Sequence, residues 1–143
     1  MKARNLPAMT PPTALPEGAE NISTGGFNRF AGPFYRLADE GEVRRFAFVV
    51  LDKHMNAAGS VHGGVLMTFA DIAMSRATRL ATGAQSVSTV AFSCDFMAAG
   101  HLGELIEIRV RIARRTRKFV FLAAEIASGG RSLMQASGVW RMG

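Results

Sequence analysis

The sequence has very little cysteine and no apolar run long enough to cross a membrane. Its single cysteine, Cys94, has no partner within the chain, which excludes a disulfide framework. Cys94 lies in an alternating apolar run, which is typical of a buried structural thiol rather than a nucleophile. No segment approaches the roughly 20 apolar residues of a membrane-spanning helix, and the N-terminal stretch lacks the apolar core of a secretory signal. These absences predict a soluble, cytoplasmic protein.

Proline is scarce outside the N-terminal segment, where four of the five prolines lie between positions 7 and 16. Few large apolar residues recur there, so residues 1–26 are expected to form a poorly ordered arm. Residues 27–143 have the length of one compact domain, and the 48% hydrophobic composition supplies enough material for its core.

Positive charge is in excess, with a formal net charge of +6, and a basic surface attracts nucleic acids regardless of their sequence. The basic residues are not interleaved with exposed aromatic residues, however, and the densest cluster is confined to one predicted turn. A small phosphorylated ligand explains that cluster as well, and we expect no nucleic-acid partner. The cluster consists of Arg114, Arg115, Arg117 and Lys118.

The order of hydrophobic patterns along the chain predicts an α+β domain. Apolar residues at helical spacing over 27–40 indicate a short helix, broken at Gly32-Pro33. A strand pattern follows at 43–51, and a long helix then runs from Val65 until Gly83 stops it. Four segments with a period of two come next, joined by tight turns, which favours an antiparallel sheet with the helix packed on its face. Periodicity alone leaves a generic α+β sandwich open.

The long helix carries an unusual acid. Between Val65 and Met74 the only polar side chains are Thr68 and Asp71, which predicts a helix buried on most of its sides. A carboxylate in such surroundings carries a desolvation cost unless it has a partner or a chemical task, and a buried acid can serve as a general base or nucleophile. The alternative is a structural carboxylate satisfied by a backbone N–H or by Thr68.

The residues before the helix suggest a binding site for a polarised oxygen. Gly63 and Gly64 lie at the predicted helix entrance, where unpaired N–H groups and the positive end of the helix dipole could bind a carbonyl oxygen that gains negative charge. A glycine pair can also simply make a turn. Asn56 and His62 could orient a substrate or a water, or could cap the helix, and capping is favoured for His62.

The spacing of these groups points to an oligomeric site. Gly63 and Asp71 are eight residues apart on one helix, about 12 Å of rise, so both cannot easily reach one carbonyl group from the same chain. If both act, two antiparallel helices of a twofold dimer would bring each Asp71 close to the partner's glycine.

The spacing N-x-x-G-x-x-H-G-G-x₇-D, formed by Asn56, Gly59, His62-Gly63-Gly64 and Asp71, resembles a known pattern. It is similar to that of the hotdog-fold acyl-CoA thioesterases of the phenylacetic-acid-degradation type, in the 4-hydroxybenzoyl-CoA thioesterase superfamily. The likeness extends through the segment 96–104 and covers roughly residues 27–143. It implies a hotdog fold, in which a five-stranded antiparallel sheet wraps a long central helix.

The resemblance also implies roles for individual residues. The Gly63 N–H would polarise the thioester carbonyl, Asp71 of the facing subunit would act as base or nucleophile, and Asn56 would help to position the carbonyl or the water. Thr89, with Ser88 as the weaker candidate, matches a hydroxyl residue that assists the water in similar enzymes.

Substrate binding is expected of the helix entrance and of the basic turn, which would sit near the CoA phosphates. We expect a homodimer that assembles further into a homotetramer and has no metal, no cofactor and no membrane partner. The expected binding residues are His62, Gly64, Arg114, Arg115, Arg117 and Lys118.

Other functions stay open on the sequence alone. A non-catalytic acyl-CoA-binding or sensing protein would use the same pocket, with Asp71 as a structural acid. A hotdog dehydratase needs a paired histidine and acid, and His62 and Asp71 do not have the expected spacing. Nucleic-acid binding is the least favoured of these functions.

Overall fold

The computed structural model describes residues 14–143. Residues 1–13 of the predicted N-terminal arm lie outside this range. The rest of that arm contains a short strand, β1 (Glu20–Asn21), and the buried side chain of Ile22. Part of the segment before residue 27 therefore packs against the domain, because Ile22 joins the hydrophobic core.

The elements follow one another in the order expected, with three short additions, two strands and a 3₁₀ turn. After β1 come α1 (Gly26–Ala31), β2 (Tyr35–Arg36), β3 (Arg44–Val49), a 3₁₀ turn (Asp52–His54), the long helix α2 (Gly63–Thr82), β4 (Val87–Phe96), β5 (Leu105–Arg115), β6 (Phe119–Ser128) and β7 (Arg131–Met142).

All strands form one antiparallel sheet in the order β1-β2-β3-β5-β6-β7-β4. The five long strands, β3 to β7, are the predicted ones, and the two-residue strands β1 and β2 extend the sheet to seven. The long helix α2 packs on one face of this sheet. The predicted α+β class and the hotdog architecture are therefore confirmed.

Both ends of helix α2 are fixed by capping residues. His62 is its N-cap, and the ring Nδ1 accepts a hydrogen bond from the Gly64 N–H at 2.8 Å. Gly83 ends the helix with φ of 73°, in the left-handed region that favours glycine, and its N–H bonds the Arg79 carbonyl. The predicted stop at Gly83 thus has a physical cause.

The sheet covers only one side of α2. Phe69, Ala70, Ala73 and Met74 are fully buried, and Phe69 also stacks on Phe34 with ring centroids 5.4 Å apart. The opposite side is less covered than the apolar sequence predicts, because Met67 is 41% exposed and Ile72 is only partly buried. An apolar helix side left open in this way is suited to contact with another chain.

Strand β4 is the long edge strand of the sheet, paired only with β7 in the part of the chain that the structure describes. Most of its side chains are exposed, and Val90 and Phe96 are more than half exposed. Of the helices between residues 14 and 143, none has both the length and the hydropathy needed to cross a membrane.

Candidate active site

Asp71 makes a hydrogen bond to a hydroxyl group on the neighbouring strand β4. The Thr89 Oγ1 donates to Asp71 Oδ1 at 2.5 Å, and the two residues are 18 positions apart in the sequence. Asp71 is half-buried and Thr89 is exposed, so this pair lies at the open margin between α2 and β4. The hydroxyl partner of Asp71 is therefore Thr89, rather than the neighbouring Thr68 considered from the sequence.

The direction of the Thr89 side chain follows from the sheet register. Thr89 is the cross-strand partner of Trp140, whose ring is buried under α2 and bonds Ser75 on that helix. Since paired residues of antiparallel strands point to the same face, Thr89 also faces the helix. Ser88 points to the opposite face, so the structure brings Thr89 and not Ser88 to Asp71.

Gly63 is the first residue of α2, and its N–H has no hydrogen-bond acceptor among residues 14–143. A Cβ at this position would lie 3.2 Å from the Cζ atom of Phe96, the last residue of β4. The Phe96 ring therefore lines the space directly beside the free N–H. An approaching carbonyl oxygen would meet the amide donor and the positive end of a 20-residue helix.

Asn56 organises the loop that leads to α2. Its Oδ1 accepts hydrogen bonds from the backbone N–H groups of Ala58 and Ser60, each at 3.0 Å, and its Nδ2 donates to the Ser60 hydroxyl. This is an Asx-type turn, closed by Gly59 at φ of 86°. An amide nitrogen carries two N–H groups, and the second one of Asn56 has no acceptor among residues 14–143.

His62 and His54 stabilise the entrance to α2. His62 serves as the cap favoured on sequence grounds, with its ring exposed. His54 is buried, accepts from the Leu51 N–H through Nδ1, and contacts the Ala31 carbonyl through Nε2. Burial lowers the pKa of His54, so the neutral ring links α1 to the loop before the helix.

The basic turn between β5 and β6 is exposed and lies at the same end of the sheet as Thr89. Arg115 pairs with Val120, Val120 with Trp140, and Trp140 with Thr89, so these four residues form one row across four strands. Three strand spacings of about 4.8 Å separate the ends of this row by roughly 14 Å.

The same chain does not bring Gly63 and Asp71 together. They stand eight residues apart along α2, about 12 Å of helical rise, and each contacts a different end of β4. Gly63 meets Phe96 at the C-terminal end of the strand, whereas Asp71 meets Thr89 near the N-terminal end. One chain therefore holds Gly63 and Asp71 in two separate places.

Two further features, a surface groove and the Cys94 thiol, take no part in the contacts around Gly63 and Asp71. A surface groove of 410 Å³, whose lining includes Ala91, Ala123 and Val139, lies on the sheet face opposite α2. Cys94 is half-buried, and burial, followed by the charge of Asp95, raises the pKa of its thiol, which disfavours the reactive thiolate. Between residues 14 and 143, no three histidine, cysteine or acidic side chains are grouped to hold a metal ion.

Sequence reasoning missed three residues that lie near Gly63 or near the Asp71–Thr89 pair: Phe96, Ser75 and Trp140. No sequence signal pointed to Phe96, because its exposure and its place at the end of an edge strand are known only from the structure. The Trp140 Nε1 to Ser75 Oγ bond, 2.8 Å long, joins residues 65 positions apart and leaves no mark in local periodicity.

Comparison with known proteins agrees with this architecture. The model of the family described as "Thioesterase superfamily" matches residues 58–135, which include Gly63, Asp71 and Thr89. The Pseudomonas aeruginosa protein named "Putative esterase PA0474" is 30% identical over 112 residues, 78% of this chain and 84% of the relative. The chain therefore belongs to the thioesterase superfamily.

Solved structures show the same fold at lower sequence identity. Zebra fish thioesterase superfamily member 2 superposes with a TM-score of 0.75 at 23% identity, over 84% of this chain and 88% of that one. The E. coli PaaI protein from the phenylacetic acid degradation operon gives 0.69 at 17% identity, over 76% of this chain and 78% of that one. Membership of the superfamily supports a thioester hydrolase activity.

Proposed function

We propose that the protein hydrolyses an acyl-CoA thioester to the free acid and CoA. The observation that carries this proposal is the half-buried carboxylate of Asp71, which is held by Thr89 at the margin of an apolar helix. A solvent-exposed structural acid would need no such hydroxyl partner. The superfamily match makes thioester cleavage the reaction to which this carboxylate is best suited.

The chemistry follows from the groups present. Water attacks the carbonyl carbon while Asp71 accepts its proton, the carbonyl oxygen takes up negative charge at the Gly63 N–H, and the carbon–sulfur bond then breaks. The thiolate leaves with the proton returned from Asp71, which restores the enzyme. In a covalent variant Asp71 attacks the carbonyl carbon and expels CoA as the thiolate. Water then hydrolyses the resulting anhydride, which releases the acid, restores the Asp71 carboxylate and supplies the proton that the thiolate takes up.

A complete site needs Gly63 from one chain and Asp71 from another. Strand β4 offers a ten-residue edge with no proline, and an antiparallel partner β4 would add to it. That pairing sets the Phe96 end of one strand beside the Thr89 end of the other. Each Asp71 then faces the partner subunit's Gly63, and a twofold axis creates two equal sites.

The basic turn supplies a place for the phosphates of CoA. Four cations, all exposed, lie within five consecutive positions, which suits a flexible, highly charged ligand. The roughly 14 Å between Arg115 and Thr89 leaves room for the pantetheine arm between phosphate and thioester. We further propose that the second N–H of the Asn56 amide, the exposed ring of His62 and the open surface at Gly64 contact the thioester end. The backbone N–H groups of His62 and Gly64 are already engaged, since they bond the His54 carbonyl and the His62 ring.

The direct test measures CoA release from a panel of short, long and aromatic acyl-CoA substrates. We expect Asp71→Asn to lower kcat by about 10²- to 10⁴-fold, because the variant keeps the shape and loses the base. The matched control is Asp95→Asn, since Asp95 is an exposed acid on the outer face of β4. Equal kcat for Asp71→Asn and wild type would remove the carboxylate from the reaction. Saturable binding without turnover, measured by calorimetry, would support an acyl-CoA-binding protein instead.

The shared-site arrangement has its own test. Asp71→Asn and Gly63→Pro chains carrying different tags are co-expressed, and oligomers retaining both tags are isolated. If each site combines two chains, a mixed dimer has one site with both functional groups, so about half of the wild-type activity returns. If each site lies within one chain, the mixed oligomers stay as inactive as the parent variants.

A further inference from the structure

We propose that Ser75, Trp140 and Gly138 are positioning residues that hold Thr89 against Asp71. This inference rests on the proposed function for its catalytic consequence. None of the three residues would touch the substrate. They act on the geometry of the Asp71–Thr89 pair through the strand β7 and the helix α2.

The first observation is a β-bulge immediately beside Thr89. Thr89 pairs with Trp140, but Ala91 pairs with Val139, so Val90 is an extra residue in β4. The Val90 side chain is 58% exposed. A bulge bends its strand, increases the local twist and redirects the neighbouring side chains, and such irregularities are frequent next to active sites. The direction in which Thr89 leaves the strand therefore depends on this bulge.

The second observation is that only glycine fits at position 138, which pairs with Phe92 next to the bulge. A Cβ on Gly138 would lie 2.5 Å from the Ala91 carbonyl oxygen and 2.6 Å from the Cζ3 atom of Trp140. Both separations are shorter than real side chains tolerate, and the first involves backbone, which cannot rotate away. Gly138 thus permits the bulged strand and the Trp140 ring to occupy their places together.

The third observation is a pair of hydrogen bonds between α2 and the strand pair. The indole N–H of the fully buried Trp140 donates to Ser75 Oγ at 2.8 Å. Ser75 follows Asp71 by four residues, one helical turn, so both lie on the same side of α2. Because Thr89 and Trp140 are cross-strand partners, the Asp71–Thr89 and Ser75–Trp140 bonds join the same two elements side by side.

Removing the Ser75–Trp140 bond should therefore loosen the Asp71–Thr89 contact without touching it. A buried indole N–H without an acceptor costs free energy, which favours a shift of the Trp140 ring toward another acceptor. The ring has little space for such a shift within its present backbone, because Gly138 is packed against it. A shift of the ring would therefore displace the β7 backbone. It would also displace the backbone of Thr89, which is paired with Trp140 across the two strands. The catalytic carboxylate then loses its fixed orientation.

The test compares Ser75→Ala with the conservative Ser75→Thr, which keeps the hydroxyl acceptor. We expect Ser75→Ala to lower kcat about tenfold with KM changed less than about twofold, and Ser75→Thr to restore most of the loss. The matched control is Ser93→Ala, on the outer face of β4, with kcat unchanged. Gly138→Ala should show the same kcat loss, and a failure of that variant to fold leaves the Ser75 comparison intact.

A second readout does not depend on the reaction. A double-mutant cycle of Ser75→Ala and Thr89→Val measures unfolding by the emission of Trp140, the only tryptophan. The two substitutions should be non-additive by at least about twofold in the unfolding equilibrium constant, whereas Ser93→Ala with Thr89→Val should be additive.

The outcomes separate the two proposals. Additive unfolding effects, or an unchanged kcat in Ser75→Ala, would overturn the positioning role. Complete absence of acyl-CoA hydrolysis by the wild type would overturn the proposed function, and the unfolding cycle alone would then decide whether Ser75 and Thr89 are coupled.

Discussion

The amide hydrogen of Gly63 can be deleted with almost no other change, which makes it the sharpest point at which to test the site. Gly63→Pro removes the N–H at the first position of α2, where proline is well tolerated. Gly63 does not adopt a positive φ, and His62 has φ of −61° and ψ of 130°, the conformation that a residue before proline prefers. Since the N–H has no partner among residues 14–143, no internal hydrogen bond is lost.

The expected effect on catalysis is large. Loss of one oxyanion donor typically lowers kcat by about 10²- to 10³-fold, or about 2.7 to 4 kcal/mol of transition-state stabilisation. The unfolding free energy should change by less than about 1 kcal/mol, because the backbone is already compatible with proline. A large fall in kcat with an unchanged fold would therefore isolate the amide hydrogen.

The matched control is Gly63→Ala, which adds the same Cβ and keeps the N–H. That Cβ would lie 3.2 Å from Phe96, whose ring is 52% exposed and can yield by a few tenths of an ångström. We expect kcat of Gly63→Ala to stay within about tenfold of wild type, a cost of at most about 1.4 kcal/mol. Steady-state CoA release, with circular dichroism melting of all three proteins, is the assay.

Two results would refute this reasoning. Equal losses in Gly63→Pro and Gly63→Ala would mean that crowding against Phe96, and not the missing hydrogen, impairs the site. Wild-type kcat in Gly63→Pro would mean that the helix entrance does not bind the carbonyl oxygen, and the proposed role of Gly63 would be abandoned.

Three other predictions concern groups away from the chemistry. Because burial lowers the pKa of His54, the unfolded chain binds its proton first as pH falls. Stability should therefore decrease as pH drops below about 6.5, and His54→Gln should flatten this dependence in acid melts. Phe69→Ala should cost about 3 to 5 kcal/mol in denaturant unfolding, against less than about 0.5 kcal/mol for Phe30→Ala, whose ring is 76% exposed. Cys94 should react with a thiol reagent at pH 7 far more slowly in the folded than in the unfolded protein, and equal rates would contradict its raised pKa.

The sequence predicts the larger elements because their patterns are long. Helix α2 spans 20 residues and is bounded by His62 and Gly83, while the strands β4 to β7 each carry ten or more residues of alternation. The strands β1 and β2 have two residues each, and no period can be read from two residues. Their pairing depends on the sheet edge offered by β3.

The candidate site could be predicted only in part. Asp71 and Gly63 stand out locally, one as a lone acid on an apolar helix and the other at a helix entrance. The resemblance alone named Thr89, as a residue that assists the water. Its hydrogen bond to Asp71 was not predicted, because a link across 18 residues depends on strand register. For Gly138 the sequence does hold a local indication, since an isolated glycine within a strand pattern suggests a β-bulge or a close approach of another backbone.

The two edge strands of the sheet differ in length, which limits how many copies could join edge to edge. At one border the outermost strand, β1, offers only two residues for pairing, whereas at the other β4 offers ten. A second copy that joins along β4 uses up its own long border in the same event, and the pair is left with two short ones. If copies pair along β4 as proposed, addition of strands at the edges formed by residues 14–143 would end at two chains, and a mutation that lengthened β1 would open a route to unlimited polymers.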